Sequence, residues 1–113
     1  MNRRDLLTAV PVAVAALAVP AAAEVETPVM RLFREWQAAR DAEEATASAD
    51  EAAYDAAWEV RYAVEKRLMA EPSQNGRDWM LKVCAWSYWG EGGGPDTREA
   101  PQLWAEARAL IAA

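Results

Sequence analysis

The chain has 113 residues, a length that suits one small domain and excludes a second. Its 12 basic and 18 acidic side chains give a net charge of −6, which argues against a nucleic-acid partner because binding a phosphate backbone needs a basic surface. It has no histidine and one cysteine, Cys84, so we expect no intrachain disulfide, no Ser/His or Cys/His nucleophile pair and no histidine-based zinc site. No glycine-rich phosphate loop follows a strand pattern either, and we therefore predict no catalytic, cofactor-binding or metal-binding residue. Cys84 lies in an apolar run and is expected to be a small buried side chain.

Residues 1–23 have the three regions of a secretory signal peptide. A basic start precedes an uncharged apolar run, and small residues then lead to an acidic position that suits cleavage. Two arginines followed by one free position and two leucines resemble a twin-arginine leader, which implies an export route that carries folded cargo. The residues behind this prediction are Arg3, Arg4, Leu6 and Leu7 for the export signal and Ala21, Ala23 and Glu24 for the cleavage site. We therefore predict a periplasmic protein whose leader has the export machinery as its partner.

An uncleaved leader is the alternative. Residues 6–23 are 18 uncharged positions, roughly 27 Å long as a helix and just short of the hydrocarbon core of a membrane. Pro11 and Pro20 argue against a spanning helix because they interrupt its hydrogen bonds. With the leader still attached, the protein would be cytoplasmic or tethered to the inner membrane through residues 6–23.

Residues 24–113 are predicted to form a single all-α domain, a small bundle of three to four amphipathic helices after an N-terminal signal helix. The first helix begins with Thr27 as its N-cap and Pro28 at its first position. The apolar positions expected to be buried on it are Val29, Leu32, Phe33, Trp36 and Ala39. A turn is predicted within residues 46–50, and a single long bent helix is the alternative.

The second helix is predicted from about Asp50 to Glu71, because Pro72 disfavours a helical residue in front of it. Two apolar rows on this helix are expected to contact two neighbouring elements. One row consists of Ala53, Ala57, Val60, Val64 and Leu68, and the other of Tyr54, Trp58, Tyr62 and Met69.

The third helix is predicted over residues 78–89, after a polar turn in which Ser73, Asn75 or Asp78 acts as the cap. Its apolar face is expected to consist of Trp79, Val83 and Trp86, with Met80 and Cys84 beside them. We expect the helix to end at Gly90, where a flexible glycine-rich loop begins.

A last amphipathic helix is predicted over residues 101–112, with Asp96 or Thr97 as a cap in its approach. The residues expected to face the core are Leu103, Trp104, Ala107, Leu110 and Ile111.

Six tryptophans lie in residues 24–113, and their main role is expected to be closing a core that has no disulfide. Trp86, Tyr88 and Trp89 crowd the end of the third helix, where three such rings cannot all point inward. We therefore identify these three residues as a candidate contact site for a protein or carbohydrate partner.

Carboxylates are the remaining candidates for catalysis. The neighbouring pairs Glu43/Glu44, Asp50/Glu51 and Asp55/Glu59 are expected to solvate helical surfaces. Glu91 and Asp96 flank the glycine loop, and they would act as an acid/base pair on a glycan only if the fold brought them into a cleft.

The leader, the helix start TPVMRLFREW, the segment AEP…GRDW…K and the closing LWAEARALI together resemble small proteins of alphaproteobacterial genomes and prophages, many of which have a twin-arginine-like leader. The resemblance covers nearly the whole chain and implies a bacterial or phage origin. It brings no catalytic residues, because these motifs are tied to no particular activity. The sequence therefore predicts an exported helical protein that binds or scaffolds and is not an enzyme. The alternatives are a cytoplasmic or membrane-tethered prophage accessory protein and a carboxylate-based glycan-acting enzyme.

Overall fold

The computed structural model describes residues 25–48 and 50–113, and this part of the chain is all-α. It consists of four helices, α1 (Pro28–Ala45), α2 (Glu51–Ala70), α3 (Gly76–Trp86) and α4 (Pro101–Ala112). The predicted fold class is confirmed. None of the described helices is long and apolar enough to cross a membrane. The leader residues Arg3, Arg4, Leu6 and Leu7 and the cleavage positions Ala21, Ala23 and Glu24 lie outside the described residues.

Side-chain caps start the first three helices. Thr27 Oγ1 accepts a first-turn amide of α1 at 3.1 Å, and Pro28 takes the first helical position. Asp50 caps α2 in the same way at 3.1 Å. Of the three caps predicted for the third helix, Asn75 is the one used, and its Oδ1 accepts the Asp78 amide at 2.8 Å. Each such cap stabilises its helix by about 1 kcal/mol.

Both ends of α2 lie where the sequence places them. Because α1 ends at Ala45 and α2 begins at Glu51, the predicted turn is confirmed and the single long bent helix is wrong. At its other end α2 has Glu71 as C-cap, with an extended backbone of ψ 128° immediately before Pro72. This is the conformation that a following proline favours.

The hydrophobic core lies between α1, α2 and α3. The predicted stripe of α1 is buried, and its members are Val29, Leu32, Phe33, Trp36 and Ala39. Val64 and Leu68 of α2 and Ala85 of α3 complete the core, with Leu68 and Ala85 0% exposed. Burying each of the larger apolar side chains stabilises the fold by about 1.5–3 kcal/mol before the entropy of ordering the chain is counted.

The two apolar rows predicted for α2 are only partly buried. Val60 is 58% exposed, and Trp58 and Tyr62 are 40% and 42% exposed. The position that turns inward beside them is Arg61, which is paired with a carboxylate of α1. With Arg61 facing α1, Val60, Trp58 and Tyr62 point outward. The prediction that both rows are covered is therefore wrong at these positions.

The end of α3 differs from the prediction. The helix begins at Gly76 and ends at Trp86, three residues earlier than expected. Ser87 follows, and its hydroxyl donates back into the last helical turn at 2.8 Å while accepting the Gly90 amide at 2.9 Å. Tyr88, Trp89 and Gly90 then have positive φ values of 50°, 59° and 89°. Glycine adopts this backbone readily, whereas two consecutive aromatic residues in it are strained.

The buried face of α3 also differs from the prediction. Trp79, Val83 and Trp86 are half-buried, and Met80 is 61% exposed. The buried positions of the helix are Asp78, Lys82 and Ala85. Cys84 is half-buried and packs against the core.

The last helix, α4, packs chiefly on α3. Trp79 Nε1 donates to the Leu103 carbonyl at 2.8 Å, and the Trp79 and Trp104 rings meet edge to face at 5.4 Å. Leu103 is the one residue of α4 that is buried, and Ile111 is 85% exposed. The prediction that Ile111 faces the core is wrong, because Ile111 lies in the last turn of α4, outside the core.

Candidate functional site

Several charged side chains of the helices are buried, which the sequence patterns did not predict. Glu43, expected on a solvated helical surface, is 2% exposed, and Arg61 is 3% exposed. On α3, Asp78 and Lys82 are 0% and 1% exposed. Burying a charge is costly unless it is paired and hydrogen-bonded. In the described residues every fully buried side-chain nitrogen and oxygen has a hydrogen-bond partner.

Arg61 joins α1 to α2. Its Nε and Nη2 donate to Oε1 and Oε2 of Glu43 at 3.0 and 3.2 Å. Its Nη1 donates to Glu65 Oε1 at 3.0 Å, and Trp36 Nε1 donates to the same oxygen at 3.1 Å. A planar guanidinium held by two carboxylates accepts little variation in geometry. These four residues therefore hold the two helices in one register, and we call them the Arg61 cluster.

Tyr88 covers the Arg61 cluster from the turn after α3. Its ring stacks on Trp36 with centroids 6.3 Å apart and planes at 16°. The guanidinium carbons of Arg40 and Arg61 lie 4.6 and 5.1 Å from the ring centroid. Cation–π contacts of this kind contribute about 0.5–2 kcal/mol. Burial raises the pKa of the Tyr88 hydroxyl, and the positive charge of Arg61 lowers it by less.

Two members of the Arg61 cluster, Glu65 and Arg61, have pKa values shifted by their surroundings. Burial raises the pKa of Glu65, and the hydrogen bond from Trp36 and the attraction of Arg61 offset only part of this effect. Burial lowers the pKa of Arg61, but its hydrogen bond to Glu43 and the charges around it raise the pKa by more. Arg61 therefore stays charged, while Glu65 takes up a proton more readily than an ordinary glutamate.

A groove of about 470 Å³ lies beside the Arg61 cluster, between α2 and the α3–α4 side of the bundle. Met69, Trp86 and Leu103 supply apolar surface to it, and Tyr62 adds a second aromatic ring. This volume lies in the range of small-molecule sites in proteins. We call this feature the α2–α4 groove.

Charged residues also line the α2–α4 groove, and they are Glu65, Lys66 and Glu99. Both hydrogen bonds to Glu65 end on Oε1, and within the described residues Oε2 accepts none. Every fully buried side-chain oxygen of the described residues has a hydrogen-bond partner. Because Oε2 has none, it is accessible to solvent. Glu65 therefore lines the groove with one carboxylate oxygen fixed by Arg61 and Trp36 and the other without a hydrogen bond among the described residues.

Tyr62 belongs to an aromatic stack along the outside of α2. The Trp58 and Tyr62 rings lie 5.1 Å apart at 22°, and Lys66 Nζ lies 4.9 Å from the Tyr62 centroid. The Arg61 guanidinium carbon lies 5.6 Å from the Trp58 ring. Residues four apart on a helix are neighbours, so the stack follows directly from the spacing 58, 62 and 66. It holds the Tyr62 ring in place at the groove.

The three residues of the predicted aromatic contact site lie in different surroundings. Trp86 lines the α2–α4 groove without the other two. Tyr88 packs on the Arg61 cluster. Trp89 is 61% exposed, and its ring meets Phe33 edge to face at 5.7 Å. Of the three, Trp86 is thus placed for contact with a ligand in the groove, and Trp89 for contact at the outer surface.

A second buried charge, Lys82, fastens α4 to the rest of the bundle. Its Nζ lies 2.9 and 3.2 Å from the carboxylate oxygens of Glu106. Ser73 donates its hydroxyl and its amide to the same carboxylate at 2.8 and 2.9 Å. Burial alone would raise the pKa of Glu106, but Ser73 and Lys82 together lower it below its usual value. This carboxylate therefore connects α3, α4 and the loop before α3.

Asp78 ties the start of α1 to the start of α3. Its Oδ1 accepts the Thr27 hydroxyl at 2.7 Å, and its Oδ2 accepts the Gln74 amide at 2.8 Å. Asp78 is 0% exposed, so these bonds are shielded from water. The contact explains why a charged residue lies on the buried face of α3.

The predicted carboxylate pair of the glycine loop does not line the groove. Asp96 Oδ1 accepts two amides of the following turn, both at 2.8 Å. The N-cap of α4 itself is Ala100, and of the two caps predicted in the approach to this helix Asp96 is the one used. Glu91 is exposed on the turn after α3, and neither Glu91 nor Asp96 is among the residues that line the α2–α4 groove.

The positions of Glu43 and Arg61 in the sequence indicate that they are buried, although the apolar residues alone do not. On α1, alternating steps of three and four lead from Val29 along the buried stripe to Glu43. On α2, the same steps connect Arg61 with Val64 and Leu68. A charged residue that continues a buried stripe at helical spacing is the mark of an internal ion pair.

Among residues 25–48 and 50–113, no group of three or more possible metal ligands comes together. Comparisons of the chain with protein-family models, with curated proteins and with solved structures found no match.

Proposed function

We propose that this chain is a small binding module of the periplasm and that its ligand occupies the α2–α4 groove. The observation that carries this conclusion is the position of Glu65. One of its oxygens is held by Arg61 and Trp36, the other accepts no hydrogen bond among the described residues, and the residue lines a groove with an apolar and aromatic wall. Ligand sites in proteins combine such a wall with a few fixed polar groups.

Binding without catalysis is favoured by the state of the second carboxylate in the Arg61 cluster. Glu43 gives both of its oxygens to the Arg61 guanidinium. A glycan-cleaving acid/base pair needs two carboxyl groups that both face the substrate. In this cluster one carboxylate holds the helices together and the other, Glu65, has one oxygen for a ligand.

The periplasmic location is inferred from the leader, where Arg3 and Arg4 precede an apolar run and a cleavage site at Glu24. The domain closes by helix packing around Trp36 and Leu68 and needs no disulfide to do so. Such a domain can fold before export, which suits a route for folded cargo.

A neutral dye that fluoresces in apolar surroundings, N-phenyl-1-naphthylamine, tests the groove. We expect saturable binding at one site on the wild-type protein and loss of that binding in Gln102→Trp, because Gln102 is exposed on α4 and lines the groove. Gln37→Trp makes the same change at an exposed position of α1 and is the matched control. Equal dye binding by all three proteins would contradict a ligand site in the groove.

The intact mass of the protein in each cell fraction tests the export route. We expect periplasmic material that begins at Glu24, whereas cytosolic material that retains Met1 or Asn2 would contradict export. Replacing both Arg3 and Arg4 with lysine should block export if the twin-arginine route is used. Unchanged export of that variant would assign the leader to the general secretory route.

A further inference from the structure

Building on the proposed role of the α2–α4 groove as a ligand site, we propose that it selects a small organic cation, an ammonium group on an apolar body. Glu65 Oε2 is the acceptor that anchors the ammonium group. Met69, Trp86 and Leu103 supply the surface for the apolar body.

The charges that line the groove favour a cation. Among the lining residues, Glu65 and Glu99 are acidic and Lys66 alone is basic. Glu99 is partly fixed, because its Oε1 accepts the Asp96 amide at 3.0 Å. An anionic ligand would meet two like charges here, whereas a cationic ligand gains a charge-assisted hydrogen bond on an oxygen that lacks a partner among the described residues.

The position of Lys66 shows that an ammonium group suits this site. Its Nζ lies 4.9 Å from the centroid of the Tyr62 ring, one of the two aromatic rings of the groove. Ammonium groups are attracted to the faces of aromatic rings. Lys66 is itself exposed, so its side chain can move into water when a ligand takes its place. The residue therefore acts as a resident competitor of the ligand.

The rigidity of Glu65 makes the selection specific. The carboxylate is held at Oε1 by Arg61 Nη1 at 3.0 Å and by Trp36 Nε1 at 3.1 Å. The position of Oε2 is therefore fixed before a ligand binds, and binding costs little side-chain entropy at Glu65. Neutral ligands of the same shape would gain the apolar contact but not the charge-assisted bond.

Three probes of similar shape test the proposal: phenethylammonium, 2-phenylethanol and phenylacetate. Each is titrated against the dye-loaded wild-type protein. We expect phenethylammonium to bind at least about tenfold more tightly than 2-phenylethanol, and phenylacetate to bind most weakly. Equal affinities for the three probes, with dye binding intact, would overturn the cation selectivity and leave the groove as a binding site. Absence of dye binding as well would contradict the proposed function itself.

Glu65→Gln keeps the size of the side chain and removes its charge. We expect its preference for phenethylammonium over 2-phenylethanol to fall at least about tenfold, while dye binding persists. Glu59→Gln removes one charge from an exposed position of the same helix and should keep the preference of the wild type. An unchanged preference in Glu65→Gln would overturn the role of this carboxylate.

Lys66→Gln provides a test that does not disturb the Arg61 cluster. Removing the competing ammonium group should raise the affinity for phenethylammonium about threefold. Arg67→Gln changes the net charge equally, but Arg67 pairs with Glu35 of α1 away from the groove. Equal effects of the two substitutions would show that only net charge matters and would contradict a cation site at Tyr62.

Discussion

Arg61 and Glu43 form a two-bonded ion pair between α2 and α1, at 3.0 and 3.2 Å, with the two residues 3% and 2% exposed. The pair lies on the buried stripes of both helices and takes positions that apolar side chains would otherwise fill. Arg61 also holds Glu65, the residue that borders the α2–α4 groove. The packing of the bundle and the shape of the candidate site therefore depend on one guanidinium.

Arg61→Met should destabilise the protein by about 4 kcal/mol, because it leaves the half-buried Glu65 without a counter-ion and the buried Glu43 with only the 3.3 Å pair to Arg40. Urea unfolding followed by circular dichroism measures this loss. Arg67→Met is the matched control, since the Arg67 and Glu35 side chains are 57% and 45% exposed and their ion pair lies in water. Its effect should stay within about 0.5 kcal/mol. Similar losses in the two variants would show that the buried pair contributes no more than a surface pair.

Glu106→Gln should lower stability by about 2 kcal/mol at neutral pH, because Lys82 loses its counter-ion. The pKa of Glu106 is lower in the folded protein than its ordinary value of 4.5. Its carboxylate therefore stabilises the fold above that value, and this contribution is lost as the pH falls through the lowered pKa. The stability difference between wild type and variant should shrink on acidification from about pH 7 to about pH 3.

Unfolding curves at several pH values check this behaviour of Glu106. Glu44→Gln, at an exposed carboxylate of α1, is the control and should show no comparable convergence with the wild type. A constant difference between Glu106→Gln and the wild type across the acid range would contradict the lowered pKa.

Trp89→Gly should be more stable than Trp89→Ala by about 1 kcal/mol, because the left-handed backbone penalises alanine but not glycine. Position 89 has φ 59°. Both variants lose the ring contact with Phe33, so comparing them isolates the backbone effect. At Gln37, in the middle of α1, the same two substitutions should rank in the opposite order, since glycine is unfavourable in a helix. Thermal unfolding of the four variants tests the reversal, and one common order would contradict it.

Trp36→Ala and Trp58→Ala should differ strongly in stability. Trp36 is 0% exposed, and its loss should cost about 4 kcal/mol. Trp58 is 40% exposed and packs mainly on Tyr62, so its loss should cost less than about 1 kcal/mol. Denaturant unfolding of the two variants provides the measurement. A large loss in Trp58→Ala would mean that the outer aromatic stack supports the fold as the core does.

The starts of the helices and the end of α2 were predictable because the interactions behind them are local. Thr27, Asp50 and Asn75 each accept an amide two or three residues along the chain. Pro72 acts on the residue directly before it. The apolar stripe of α1 was predictable for a related reason, since its spacing repeats over several turns of one helix.

The interior of the candidate site was not predictable by the same means. Whether Glu43 is solvated or buried depends on Arg61, which lies 18 positions further along the chain and on another helix. Because Arg61 faces inward, Tyr62 and Trp58 face outward. One long-range ion pair therefore determines which face of α2 is exposed to solvent. The apolar pattern of α2 alone favours the opposite arrangement.

The end of α3 escaped prediction for a different reason. Ser87 offers its hydroxyl to the helix and to the Gly90 amide at once, and this competes with continued helix formation. The pattern of aromatic residues suggested that the helix continues to Trp89. As a result, the predicted contact site was divided between the groove, the Arg61 cluster and the outer surface.

Three tryptophan indole N–H groups each form a hydrogen bond at a different contact within the bundle. The donors and acceptors are Trp36 with Glu65 Oε1, Trp79 with the Leu103 carbonyl, and Trp104 with the Pro95 carbonyl. The first bond joins α1 to α2, the second joins α3 to α4, and the third joins α4 to the loop before it. Each hydrogen exchanges with deuterium only when its own contact opens. Their three exchange rates therefore record the order in which the bundle comes apart, without any added label.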